Sequence, residues 1–384
     1  MKDTKLATKF IQFSLTLFLI SAVFACCMRL HAVLELPFLN YSRFLQTHSH
    51  SAFLGWAYIG VTVLLNFVFL PQDKAFTQKY RFIFSVELVL VVLMLISFPL
   101  QGYKGLSIAL LSLFIVASYV HSFYFLKDFK HTRQNLVVSS FLKFSIYYYV
   151  LSTLATWSLG GIVATQGKGD LYYNAIYFYL HFLYNGFFVF ALFGLVFRYF
   201  EAKKVHFSNQ KARLFFYLLN LACLPAYVLS MLNFDTALLQ LIALVAASLQ
   251  LLALGCFFRI VQKLNFKQLS LPKTVKILFL FVFVAFILKI LLQFGTAFPA
   301  LNQQISIFKS YFVIGYLHLV TLGIISTLLF VFLGEYGLIQ TKNVAFKIGI
   351  RAFVVGLLLS EFLLFSEGLC MGVPLLIELI IFIL

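Results

Sequence analysis

Three histidines in this chain are each followed five residues later by a glycine: His50 with Gly55, His181 with Gly186, and His318 with Gly323. Two of them also share a preceding Tyr-Leu pair, Tyr179-Leu180 before His181 and Tyr316-Leu317 before His318. Imidazole is the commonest nitrogen ligand for metal ions and a regular axial ligand to haem iron. All three motifs stand in strongly apolar surroundings, where an ionisable side chain is costly and marks a functional site by default. The competing reading is that each ring hydrogen-bonds a neighbouring helix. His48 lies two residues before His50, about 200° away around an α-helix, so at most one of the two faces a bundle interior, and the repeat favours His50. On the same geometry each glycine lies ~140° round from its histidine, which makes it a site of close helix packing and not a gap on the ligand face.

The elements that carry these residues are membrane crossings. The chain has 384 residues, of which 62% are hydrophobic and 11% charged, with a mean hydropathy of +1.00; a soluble domain carries roughly 25% charged residues. Charge-free runs such as 105–126 are long enough to cross a hydrocarbon core, which takes about 20 helical residues. These runs do not alternate polar with apolar residues, so helices and not barrel strands are expected. The segments read as 10–30, 48–70, 82–100, 105–126, 139–160, 173–198, 213–233, 236–258, 275–294, 310–333, 345–366 and 369–384, about twelve spans, with the short last one the weakest.

Basic residues fall at alternate ends of these segments. With the N-terminal Lys2, Lys5 and Lys9 counted, 23 lie on one side, and only Arg29, Arg43, Lys104, Lys168, Lys289 and Lys309 fall elsewhere. This positive-inside pattern places the N-terminus in the cytoplasm, and it accounts for the net charge of +17 without nucleic acid as a partner. The expected fold is therefore all-α integral membrane, one polytopic domain over 1–384 in the lipid bilayer of a bacterial plasma (inner) membrane. Lys2 to Cys26 faintly resembles a cleaved lipoprotein signal, but Phe24 fits such a site poorly and the apolar run is long for the purpose. Short loops leave no room for an extramembrane domain.

The three histidines fall in spans 2, 6 and 10, at separations of 131 and 137 residues. Each sits within two turns of its helix start, at most ~12 Å deep at 1.5 Å per residue. An internal repeat of four helices, taken three times over roughly 1–135, 136–270 and 271–384, is the simplest account, and it gives a pseudo-threefold arrangement of four-helix arcs.

Twelve helices, an inside N-terminus, four-helix arcs and outer-side histidines in spans 2, 6 and 10 together resemble subunit I of the haem–copper oxidases. The resemblance covers nearly the whole chain in topology, through sparse motifs. It implies a low-spin haem b held by His50 and His318, with His181 at the position of a copper ligand. The departures bear on the chemistry. The histidine pair that completes the family's copper site in span 7 has no counterpart between Leu218 and Met231, and the first histidine of the family's His-x-His in span 10 is Tyr316 here. Tyr179 and Tyr184 do not reproduce the spacing of the family's tyrosine motif. What is kept resembles the low-spin site and what is lost is the oxygen-reducing centre. The resemblance thus implies a single-haem electron carrier or sensor, an oxidoreductase component with an electron donor or other membrane subunits as partners. His181 is left with copper, a second haem or neither.

Other residues are assigned blander roles. His121 lies at another depth and is expected to be interfacial or hydrogen-bonded, while His31, His131 and His206 are expected in solvent. Glu87, Lys289, Glu361, Glu367 and Glu378 need partners inside the membrane, and Lys289 with Glu361 is a candidate ion pair or proton relay at matched depth. Cys26, Cys27, Cys223, Cys256 and Cys370 form no CxxC and read as small apolar side chains. The sequence holds no phosphate-binding glycine loop, GxSxG, HExxH or CxxCH, so any haem is non-covalent. Two other classes stay open: a small-solute transporter, against which the parallel repeat counts because transporters often use inverted ones, and an accessory subunit with vestigial histidines.

Overall fold

The computed structural model describes residues 2–231, 236–265, 268–269, 271–298 and 309–370. Among these the chain forms helices and no strands. Ten helices are long and apolar enough to cross a membrane. They are α1 (Asp3–His31), α2 (Tyr41–Phe69), α3 (Gln78–Gln101), α4 (Gly105–Phe129), α5 (Leu136–Gln166), α6 (Asp170–Ala202), α8 (Ala237–Gln262), α9 (Lys273–Thr296), α10 (Tyr311–Glu335) and α11 (Val344–Glu367). Between α6 and α8 lies α7, Asn209–Cys223, continued by a 3-10 turn over Pro225–Ser230. The protein is a multi-pass, all-α membrane protein.

The seventh segment differs from its expectation as one unbroken span. Pro225 lacks an N–H and its ring crowds the carbonyl four residues back, a combination that kinks or breaks an α-helix and here breaks it. The helix stops at Cys223 and tightens into the 3-10 turn, in which the Tyr227 N–H donates to the Leu224 carbonyl. The segment expected over 369–384 lies, but for its first two residues, outside the described residues.

Large apolar side chains cover the outside, with Phe82 69% and Leu100 71% exposed, while Glu87, His121, His181 and Lys289 are buried. That inversion of the soluble pattern is what a hydrocarbon solvent demands, since contiguous exposed apolar surface on this scale is foreign to soluble monomers. Burial also separates the crossings. The apolar stretches of α2, α6 and α10 are 78%, 94% and 67% buried, and no other crossing exceeds 56%. Every fourth helix is thus a core helix, and these are the three that carry the repeated histidines.

Packing divides the chain into two compact units, one of residues 1–135 with 335–339 and one of 136–334 with 340–384. In the first, α3 and α4 form a hairpin pinned at one end by Asp128. Its carboxylate accepts from Lys79 Nζ at 2.6 Å and from Tyr80 Oη at 2.9 Å. At the other end Pro99 removes a helix N–H, and Arg43 donates to the Leu100 carbonyl at 2.6 Å. Gly102 then reverses the chain at φ +66°, a region disfavoured for residues with a Cβ. In the second unit α6 packs against α5, α7 and α9, with Phe141 of α5 in ring contact with Phe190, Phe193 and Phe215, and Phe193 in contact with Phe215 and Phe286.

Candidate functional site

Each repeated histidine is the last α-helical residue before a π-helical stretch. These stretches are Ser51–Tyr58, Phe182–Phe188 and Leu319–Ser326. At their ends the N–H groups of Ile59, Val189 and Thr327 bond the carbonyls of Leu54, Tyr184 and Leu322, five residues back in every case. In the third stretch the hydroxyls of Ser326 and Thr327 also take the carbonyls of Thr321 and Leu322. π-Helix is rare and concentrates at functional sites. Finding it three times after the same motif makes the sequence repeat a structural one.

The π-turns also revise the place of the glycines. Hydrogen bonds that join residues five apart bring the residue at +5 back nearly above its histidine, in place of the ~140° offset of an α-helix. Close packing is still their role at two sites. A methyl built on Gly55 would lie 2.9 Å from Leu17 Cδ1, and one on Gly186 only 2.5 Å from Tyr148 Cβ. At Gly323 the nearest atom is Ala285 Cβ at 3.5 Å, an ordinary contact.

His50 is held from three sides within the first unit. Its Nδ1 meets the Gln46 carbonyl at 2.7 Å, one turn back on α2. Its ring stacks on Phe98 at 4.5 Å and meets Tyr103 edge-on at 5.6 Å, with the Tyr103 hydroxyl 3.2 Å from Nε2. The Gly102 reversal is what folds Tyr103 back over this ring. A carbonyl can only accept, so Nδ1 carries the hydrogen and the Nε2 lone pair accepts from the Tyr103 hydroxyl, a side-chain group that a metal would displace. Metal-binding imidazoles are commonly oriented in this way. His48 points to α1, with its Nδ1 2.9 Å from the Ser21 carbonyl and 3.1 Å from the Ser21 hydroxyl, so the two histidines do face different sides.

His318, in the second unit, has Nδ1 3.8 Å from the Glu361 carboxylate on α11. That is an electrostatic contact, too long for a hydrogen bond. Gly315, one turn earlier on α10, makes room for the approach, since a methyl there would lie 3.3 Å from Phe365 Cε2 and 3.4 Å from Glu361 Oε2. Tyr316 meets Tyr184 at 6.1 Å, so the His181 and His318 segments are neighbours in this unit.

His181 is used differently. Its Nε2 bonds the Cys223 carbonyl at 2.9 Å, and Nδ1 faces Asn185 Nδ2 and the Ser230 hydroxyl, each at 3.3 Å. The Cys223 carbonyl is one that the break at Pro225 deprives of its helical partner, so the imidazole completes a broken helix. Both ring nitrogens are engaged by protein. Among the described residues no group of three or more His, Cys, Asp or Glu is placed to hold a metal ion.

The remaining intramembrane polar groups have local partners. His121 Nε2 meets Asn66 Oδ1 at 3.2 Å, as expected of a hydrogen-bonded residue, and Asn66 Nδ2 donates to the Ala75 carbonyl at 3.2 Å. Tyr58 donates to Glu87 at 3.4 Å. Lys289 does not pair with Glu361. Its ammonium donates to Gln293 Oε1 at 2.9 Å and Gln250 Oε1 at 3.3 Å, while Glu361 faces His318. The period of the buried face of α9 (Leu278, Val282, Ala285, Lys289, Gln293) aims the lysine at α8, which matched depth alone could not reveal.

Sequence reading missed Tyr103, Gln46 and the two glutamines. Gly102 beside Pro99 signalled a reversal near His50, and Pro225 signalled a carbonyl in want of a donor. Compared with known proteins, the chain matches no family model and no curated protein sequence.

Proposed function

We propose that this chain is a membrane haem protein, in which His50 and His318 would hold one low-spin b-type haem. The observation that carries the reading is the orientation of the two rings. Each turns Nδ1 to an acceptor, the Gln46 carbonyl at 2.7 Å and the Glu361 carboxylate at 3.8 Å, and each opens a π-helical stretch. At His50 this hydrogen bond fixes the tautomer and raises the basicity of Nε2, while at His318 the carboxylate acts through its charge alone. Two histidines are a donor set suited to haem and fewer than a bare metal ion would require. When bound, such a group would supply one-electron redox chemistry.

The chain's own part is to orient and enclose. Phe98 and Tyr103 keep the His50 ring from turning, and Glu361 stabilises positive charge developing on the His318 imidazole. His181, committed to the Cys223 carbonyl, is structural in this reading, and copper has no place in it. The proposal includes the finer topology: twelve crossings, N-terminus in the cytoplasm, in a bacterial inner membrane, with a role in electron transfer or sensing alongside other membrane subunits. It also includes kinship with the haem–copper oxidase subunit I superfamily, as a branch that has lost the dinuclear centre.

Haem content of the purified protein, read as its pyridine haemochrome, tests the assignment. One equivalent is expected in the parent and in His48→Ala, and little in His318→Ala. Equal haem in all three, or none in a parent expressed with ample haem supply, overturns it.

A further inference from the structure

Lys289 is 2% exposed and its two acceptors, Gln250 and Gln293, are 4% and 6% exposed. An ammonium buried without a counter-charge is among the costliest arrangements a protein can hold. Here its hydrogen-bond partners are neutral amide oxygens, and no carboxylate among the described residues pairs with it. The other polar groups near it are neutral too. Lys289 lies within electrostatic reach of His181 and Cys223. His181, which gives its Nε2 hydrogen to the Cys223 carbonyl and accepts at Nδ1, is fixed as the uncharged tautomer.

The balance of donors points the same way. An ammonium has three N–H groups and only two are taken. On Gln250, whose oxygen already faces the ammonium, the Nε2 atom is buried with no hydrogen-bond partner. The third ammonium hydrogen and this amide therefore lie together, both in want of an acceptor. Ala243 and Ala247 of α8 pack with Ala297 and Val228, so small side chains line this seam.

We propose that Lys289 and Gln250 form an intramembrane binding site for a small monovalent anion of halide size. The ammonium supplies the charge and one hydrogen bond, the Gln250 amide a second, and Gln293 holds the lysine in place. The site is independent of the haem ligands, and its test does not depend on them.

The test is thermal unfolding of the full-length protein in detergent, titrated with sodium chloride and with sodium gluconate at matched ionic strength. Chloride is expected to raise Tm in a saturable manner and gluconate to leave it flat. Lys289→Met is expected to lose the chloride response. Gln250→Glu, which builds a carboxylate into the site, is expected to be as stable without chloride as the parent is with it, and equally unresponsive. This second variant decides the matter should Lys289→Met fail to fold. Indistinguishable chloride and gluconate curves for the parent overturn the proposal, whether because the amine is uncharged or because a carboxylate reaches it from outside the described residues. A chloride response retained in Gln250→Glu overturns it as well.

Discussion

Adding one methyl to each glycine of the repeat should give three different answers from one motif. In Gly186→Ala the new Cβ would lie 2.5 Å from Tyr148 Cβ and 2.7 Å from its Cγ, so α5 itself must retreat by most of an ångström. Overpacking of this kind costs about 1–3 kcal/mol, and alanine returns about 0.5–1 kcal/mol through its lower backbone entropy loss. With the middle of each range the net loss is about 1 kcal/mol, a factor of about 5 in the folded-to-unfolded ratio. In Gly55→Ala the nearest atom is the end of a flexible side chain, Leu17 Cδ1 at 2.9 Å, but Leu17 Cβ at 3.0 Å and Val91 Cγ1 at 3.1 Å are less free to move. That change should fall between neutral and a loss of about 1 kcal/mol. In Gly323→Ala the 3.5 Å contact with Ala285 Cβ is comfortable, so the gain of about 0.5–1 kcal/mol should stand alone. Denaturant unfolding in a fixed detergent, followed by circular dichroism, ranks the variants. The expected order of stability is Gly323→Ala at or above the parent, then Gly55→Ala, then Gly186→Ala. A Gly186→Ala protein as stable as the parent, or Gly323→Ala as the weakest, would refute the packing reasoning.

His181→Leu should cost about 1–3 kcal/mol by stranding the Cys223 carbonyl, and Pro225→Ala in that background should recover part of the loss by letting the α-helix continue so that the Tyr227 N–H, now on Leu224, can reach that carbonyl; thermal unfolding of the single and double variants checks this. Asp128→Ala should cost about 1–3 kcal/mol because it leaves the buried Tyr80 hydroxyl without its 2.9 Å acceptor, and the same change in a Tyr80→Phe protein should cost less, as a double-mutant cycle will report. Tyr103→Phe removes a hydroxyl that meets His50 Nε2 at 3.2 Å without touching a ligand, so haem content by pyridine haemochrome should match the parent.

Helices were the legible part of this sequence, because hydrocarbon forces every crossing to be long, apolar and internally hydrogen-bonded. The charge-free run 105–126 became α4, Gly105–Phe129, and the other described crossings overlap their sequence-drawn bounds, with α5 longer at both ends, Leu136–Gln166 against 139–160. The seventh segment was misread because apolarity says nothing of Pro225's missing N–H. The histidine repeat was visible, and it does mark the three most buried crossings. Its π-helical form was not visible, since an apolar run such as Leu319–Ser326 is equally compatible with i→i+4 and i→i+5 bonding. Partner choice was hidden for a related reason. Lys289 and Glu361 share a depth, but depth carries no information on azimuth, and the two side chains turn to Gln293 and His318. His181 looked like its two repeat mates in sequence, and only the neighbouring broken helix shows why its ring is occupied.

The central claim is most directly tested by a reduced-minus-oxidised optical spectrum of the purified protein, produced with ample haem supply. A sharp α-band with a shifted Soret peak is predicted for the parent, lost in His50→Ala and in His318→Ala and retained in His48→Ala. A featureless difference spectrum from the folded parent, or bands indifferent to both ligand substitutions, would contradict it.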